Sequence, residues 1–223
     1  MAITIPWSAA RRHEAAQATE NAAGRSPAAA ELDPLWALLA EAELPVTLHI
    51  GGQDGFFASN AWGDADLLRP GTFSTGEPIG PHTLATMHLA AQNYLATMIY
   101  GGVFDRHPSL RVGVIELGAM WVGPFVDLLE DRLALSRRLR ESLQRTPREV
   151  FVDQIRVTPF FWERTARQIE RYGMSEIYAF STDFPHPEGG TDPIGRMAAD
   201  ITPLGDAAIE AFFVSNAELL LPS

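Results

Sequence analysis

The chain has 223 residues, is 46% hydrophobic and 20% charged, and carries a formal net charge of −11. That length supports one sizeable core rather than two, and the charge excludes a general binder of nucleic acid or acidic membrane, because nothing neutralises phosphate in bulk. Cysteine is absent, which excludes disulfides and thiolate metal sites and leaves His, Asp and Glu as the available metal ligands.

Residues 1–30, alanine-rich and weakly periodic, read as a poorly ordered arm or a helix that needs a partner. Their start, MAITIPWSAARRHEAA, lacks a signal-peptide core, and no apolar run reaches transmembrane length, so no membrane partner and a cytoplasmic location are expected. Order is expected from about residue 31 to 223. Asp33-Pro34 signals a helix start, with Asp33 as N-cap and Leu35, Trp36, Leu38 and Leu39 on one face. A short strand follows at Pro45–Ile50 and ends in His49-Ile50-Gly51. Residues 51–81 form a long Gly- and Pro-rich loop holding Phe56, Phe57, Trp62 and Phe73. Loops of that length inside compact domains usually serve as lids, and its aromatics favour a packed one.

His82–Phe104 follows the helical period through Leu84, Met87, Ala91, Leu95 and Met98. Leu110–Glu116 reads as a second strand, Trp121–Leu143 as a helix, Gln154–Thr158 as a third strand, and Phe161–Tyr172 as a helix stopped by Gly173. Glu176–Phe180 is the expected fourth strand, and Asp192-Pro193 repeats the helix-start signal. Strand–helix alternation means a parallel sheet with right-handed crossovers, which a doubly wound sheet and a (β/α) barrel both satisfy. No Gly-rich phosphate fingerprint follows any strand, which weakens a nucleotide-binding reading.

The strand tips carry the chemistry. His49, Glu116 and Asp183 each end an expected strand, and in parallel α/β folds ligands bind at the carboxyl ends of the strands. Imidazole and carboxylate together suit zinc, and oxygen-rich variants suit manganese. Each residue also has a simpler reading: His49 as a core histidine, Glu116 as a helix cap, Asp183 as a turn residue, His186 as a loop residue between two prolines.

The segments LPVTLHIG at 44–51, HPSLRVGVIELGAMWVGPFVDLLEDR at 107–132, FSTDFPHPEG at 180–189 and Asn216-Ala217-Glu218-Leu219-Leu220 resemble the amidohydrolase-related metal-dependent enzymes. The branch they look most like includes aminocarboxymuconate semialdehyde decarboxylase and aromatic-acid decarboxylases. The resemblance implies a TIM-type (β/α) barrel, represented here by its second-half strands. It implies that His49 and Asp183 are metal ligands, that Asp183 also moves a proton, and that Glu116 stands where many decarboxylases of the branch place a catalytic histidine. Phe56, Trp62, Arg69, His186 and Glu188 are the candidate substrate-binding residues. The expected activity is hydrolysis or decarboxylation of a small cyclic or aromatic carboxylate or amide, with a divalent metal, zinc before manganese. The His-x-His pair that family members carry on their first strand is absent. A full barrel usually needs about 250 residues, and a half barrel leaves two open sheet edges. These departures leave three further expectations: a truncated chain, a homo-oligomer that closes the sheet, and a degenerate relative that binds ligand or oligomerises without catalysis.

Overall fold

A computed structural model describes residues 3–4, 25–50, 65–68, 80–184, 186 and 189–221. Its centre is a parallel sheet in the order β1-β2-β3-β4. The strands are β1 (Ile3–Thr4), β2 (Val46–His49), β3 (Val112–Ile115) and β4 (Ile155–Val157). Among the described residues of the expected arm, Ile3 and Thr4 pair with Val46 and Thr47. Register then runs Val46↔Val112↔Ile155 and Thr47↔Gly113↔Arg156.

The helices in chain order are α1 (Asp33–Glu41), α2 (Pro81–Thr86), α3 (Leu89–Tyr100), α4 (Val103–Arg106), α5 (Val122–Leu135), α6 (Arg137–Ser142), α7 (Pro147–Gln154), α8 (Thr165–Tyr172), α9 (Pro193–Ile201), α10 (Asp206–Glu210) and α11 (Asn216–Glu218). Side chains alternate across a strand, and here the two faces have different covers. Val46, Leu48, Val112, Val114, Ile155 and Val157 are all buried in one core with Leu95, Met98, Val122, Val126 and Phe151 of the helices. The opposite face meets the C-terminal segment. A methyl group on Gly113 would lie 2.9 Å from Leu220 Cδ1. Arg156 Nε donates to the Asn216 carbonyl (3.0 Å), and Arg111 Nη1 donates to the carbonyls of Leu219 and Leu221. The sheet is thus an arc of a (β/α) barrel, helices outside, with the C-terminal residues folded against its inner face.

Several expected boundaries shift, each for a local reason. The helix expected over His82–Phe104 is three helices, with Gly102 in the left-handed region (φ 68°) between α3 and α4. The one expected over Trp121–Leu143 breaks at Ser136, whose side chain caps α6 by accepting from Leu139 N–H. Asp33 is the first residue of α1 rather than its N-cap; its carboxylate instead takes Arg106 Nε at 2.9 Å and His107 Nε2 at 3.1 Å. Those contacts, His107 first, hold it below the usual carboxylate range. The expected fourth strand is reduced to a 3₁₀ turn at Ser175–Ile177 and one parallel bridge, Val157↔Tyr178. Helical groups serve its far side: Phe180 N–H donates to the Phe212 carbonyl, and Asn216 Nδ2 donates to the Tyr178 carbonyl. No helix of the described residues is long and apolar enough to cross a membrane.

Candidate functional site at the strand tips

The polar ends of β2 and β3 and of the Tyr178–Phe180 segment meet on one side of the sheet. His49 is the last residue of β2 and is paired in register with Ile115, the last of β3. Glu116 follows β3 directly and Asp183 comes three residues after Phe180, with φ of 58° and 55°. Left-handed backbone costs a non-glycine residue roughly 1–2 kcal/mol and persists only where the surroundings enforce it. Here it turns both carboxylates toward the same space. Glu116 N–H is fixed by Thr158 Oγ1 at 3.3 Å.

Glu116 is the central group. Its side chain is 5% exposed; Oε2 lies 2.8 Å from His49 Nε2, and Oε1 lies 4.0 Å from His186 Nδ1. One ligand atom each from Glu116, Asp183 and His186 falls within 4.8 Å of the others. His49 Nδ1 donates to the Ile50 carbonyl at 2.7 Å, since a carbonyl only accepts. With a carboxylate at its other nitrogen, the imidazole keeps both protons. Its pKa is raised from 6.5 to about 9, chiefly by the Glu116 contact, against the opposing effect of burial, with the Ile50 carbonyl and Asp183 adding to it.

The sign of this linkage is definite. The contribution of the pair to stability is fully present below about 6.5, where the unfolded imidazole is also charged, and is lost as pH rises through about 9. Metal-free protein is therefore expected to lose urea stability between pH 6.5 and 9.5, and His49→Gln to flatten that slope. A profile unchanged by the substitution would show that the pair contributes nothing.

Glu163, which sequence patterning did not single out, organises the loops beside the site. Its carboxylate accepts the N–H groups of Ala119, Met120 and Phe160 at 2.9–3.3 Å, tying the loop after β3 to the loop after β4. Burial raises its pKa, with the three amides pulling the other way. Glu163→Ala leaves those amides without their acceptor, at about 1–3 kcal/mol for each buried donor that water does not reach. The expected result is a clear fall in melting temperature, with Glu163→Gln intermediate.

A cavity lined by Glu116, Thr158, Phe160, Phe161, Thr182 and Asp183 opens at the cluster. A second, of about 210 Å³, shares Phe160 and is lined by His88, Trp121, Trp162 and Glu163 among others. His88 stacks on Trp121 at 5.8 Å, and burial lowers its pKa.

Of the residues singled out from sequence, His49, Glu116, Asp183 and His186 therefore lie together at the strand tips. Phe56, Trp62, Arg69 and Glu188 lie outside the described residues.

Comparison with known proteins gives a consistent picture. A family model described as amidohydrolase matches residues 13–222. An amidohydrolase from Mycobacterium avium subsp. paratuberculosis K-10 is similar in structure, with TM-score 0.70 and 26% identity over 88% of this chain and 47% of its own. A dihydroxybenzoic acid decarboxylase from Polaromonas sp. JS666, solved with manganese and 2-nitroresorcinol, has TM-score 0.64 and 18% identity over 90% of this chain and 56% of its own. A 5-carboxyvanillate decarboxylase from Novosphingobium aromaticivorans DSM 12444, solved with manganese and 4-hydroxy-3-methoxy-5-nitrobenzoic acid, has TM-score 0.59 and 18% identity over 88% and 53%. The chain spans about half the length of these matched structures. The likeness to the two decarboxylases is one of fold.

Proposed function

The chain belongs to the amidohydrolase family, and from that premise we propose that it acts as a metal-dependent enzyme releasing carbon dioxide from a small aromatic carboxylic acid. The observation that carries the proposal is the convergence of Glu116, Asp183 and His186, beside His49, at the carboxyl ends of a parallel sheet. Two carboxylates and an imidazole suit a divalent cation of borderline character, zinc or manganese. The oxygen-rich balance, together with manganese in the two similar decarboxylase structures, favours manganese.

A cation held there supplies Lewis acidity toward a substrate carboxylate or carbonyl. The protein's own groups do the rest. Asp183, half-buried at the mouth, holds the proton that replaces the departing carboxylate on carbon. Glu116 is fixed by Thr158 and by His49, so its charge is already oriented when substrate arrives. The His49 imidazolium adds a positive charge beside Glu116. Phe160 and Phe161 supply an apolar wall beside these groups. Burial of charged groups around a shared space, where a purely structural strand end would be apolar, supports the enzymatic reading over a non-catalytic ligand-binding or oligomerising relative.

The test is carbon dioxide release by manganese-loaded protein from 5-carboxyvanillate and from 2,6-dihydroxybenzoate, the latter named for a further decarboxylase of similar fold from Rhizobium. Turnover that Asp183→Asn abolishes supports the proposal. A folded, metal-loaded protein that releases no carbon dioxide from them but hydrolyses amide or ester analogues would redirect it to hydrolysis.

A further inference from the structure

The cavity of about 210 Å³ lies beside the charged cluster, and none of His49, Glu116, Asp183 or His186 lines it. Helix ends and loops form it instead: Leu84 lies in α2, His88 immediately precedes α3, Trp121 immediately precedes α5, and Phe160, Trp162 and Glu163 stand between β4 and α8. Two stacked ring pairs make its aromatic walls. Phe160 and Trp162 lie face to face at 4.5 Å and 10°, and His88 and Trp121 at 5.8 Å and 11°. The Trp121 indole N–H donates to the carbonyls of Leu117 and Gly118, which fixes that ring. Gly118 keeps the two loops close: its φ is 65°, and a Cβ there would lie 2.8 Å from Glu163 Oε1 and 3.4 Å from Phe160 Cδ2. Trp162 and Met120, both on the lining, are 47% and 42% exposed, apolar surface that a bound ring would cover.

The polar groups of the cavity set what it accepts. The Glu163 carboxylate already takes three amide N–H groups, so it offers negative charge more than a free acceptor. An anion entering beside it meets a like charge in a confined space. His88 is different. Burial lowers its pKa, so the imidazole is neutral at pH 7, and no hydrogen bond among the described residues engages its ring. A neutral imidazole offers one donor and one acceptor, which suits a hydroxyl group. Size narrows the choice further. An apolar cavity of about 150 Å³ holds benzene, so this one holds a single ring with small substituents. A phenolic hydroxyl ionises near pH ~10 and enters uncharged.

We propose that this cavity is a second ligand site, for an uncharged single-ring phenol: the ring lies among Trp121, Phe160 and Trp162, the hydroxyl bonds His88, and Glu163 turns aromatic carboxylates away. The assignment does not depend on the decarboxylase reading. Under that reading a phenol is what an aromatic hydroxy acid becomes once its carboxyl group has left, and Phe160 is the wall common to both cavities.

The test is titration calorimetry of the full chain at neutral pH, with phenol, toluene and benzoate as probes. Wild type is expected to bind phenol with a Kd on the order of 1 mM, and benzoate is expected not to displace it. Trp162→Ala is expected to weaken phenol binding on the order of 10-fold. His88→Phe is expected to weaken it roughly 3–10-fold and to leave toluene binding unchanged. Thermal unfolding reports that both variants remain folded. Asp183→Asn, at the other cavity, is expected to bind phenol as wild type does. Phenol binding that disappears in Asp183→Asn and persists in both Trp162→Ala and His88→Phe would place the phenol at the strand tips and overturn the inference, with the decarboxylase reading intact. Displacement of phenol by benzoate, or a folded wild-type protein that binds no phenol, overturns it as well, while carbon dioxide release decides the decarboxylase reading separately.

Discussion

Asp183→Asn is expected to reduce turnover by about 10³–10⁴-fold, within the range for loss of a positioned proton donor, and to lower manganese occupancy to a small fraction of one per chain. The substitution keeps shape and removes charge. Two consequences follow from the roles proposed for Asp183. The cation loses one of the two carboxylates that lie together with His186, and the proton that replaces the departing carboxylate loses its carrier. Stability responds in the other direction. Asp183 and Glu116 are like charges in a confined space, so removing one relieves repulsion in the metal-free protein, and the melting temperature is expected to hold or rise. Activity and stability moving apart is the signature of a functional carboxylate. A fall in both together would mark Asp183 as a turn residue whose loss disturbs the loop.

Phe151→Ala is expected to produce the largest loss of stability of any single truncation considered, about 3–5 kcal/mol. Phe151 is 0% exposed and lies in α7, the helix that leads directly into β4. Its ring meets Phe125 of α5 edge-on at 6.2 Å. The void left behind cannot collapse easily, because α7 is fixed at both ends. Its start is held by the reciprocal capping bonds of Thr146 and Glu149, and its end by buried Gln154, whose Nε2 donates to the carbonyls of His107 and Leu110. For a chain of this size each kcal/mol shifts the melting temperature by about 2–4 °C, so a fall of roughly 6–20 °C is expected. Leu135→Ala, at a position 75% exposed, should stay within about 0.5 kcal/mol of wild type. Equal losses at the two positions would contradict the assignment of the core.

The sequence made β2, β3 and β4 legible because each is a short β-rich run set between helices, and parallel strands buried on the helix side leave that mark. It made the tips legible because a charged residue at the end of an apolar run is costly unless it has work there. It did not make the Tyr178 segment legible as it stands. An apolar run reads as a strand, but its far side is served by Phe212 and Asn216, residues over 30 positions away. The start of α7 does carry a sequence signal: Thr146-Pro147-Arg148-Glu149 combines a capping box with proline at the first helical position. Glu163 carried no signal at all, because its role depends on three amides, two of them in the other loop. The candidate grouping at the strand tips was legible in part. His49 and Asp183 mark the strand ends, whereas the return of His186 toward Glu116 depends on a turn whose shape, set by the close approach of Gly189 to Thr182, has no periodicity to reveal it.

The most direct measurement is a crystal soaked with manganese and examined by anomalous scattering at the manganese edge. The account predicts one peak at the strand tips, within about 2.0–2.3 Å of carboxylate oxygens from both Glu116 and Asp183. A well-ordered site that stays empty at saturating manganese, or a peak bound by neither carboxylate, would contradict it.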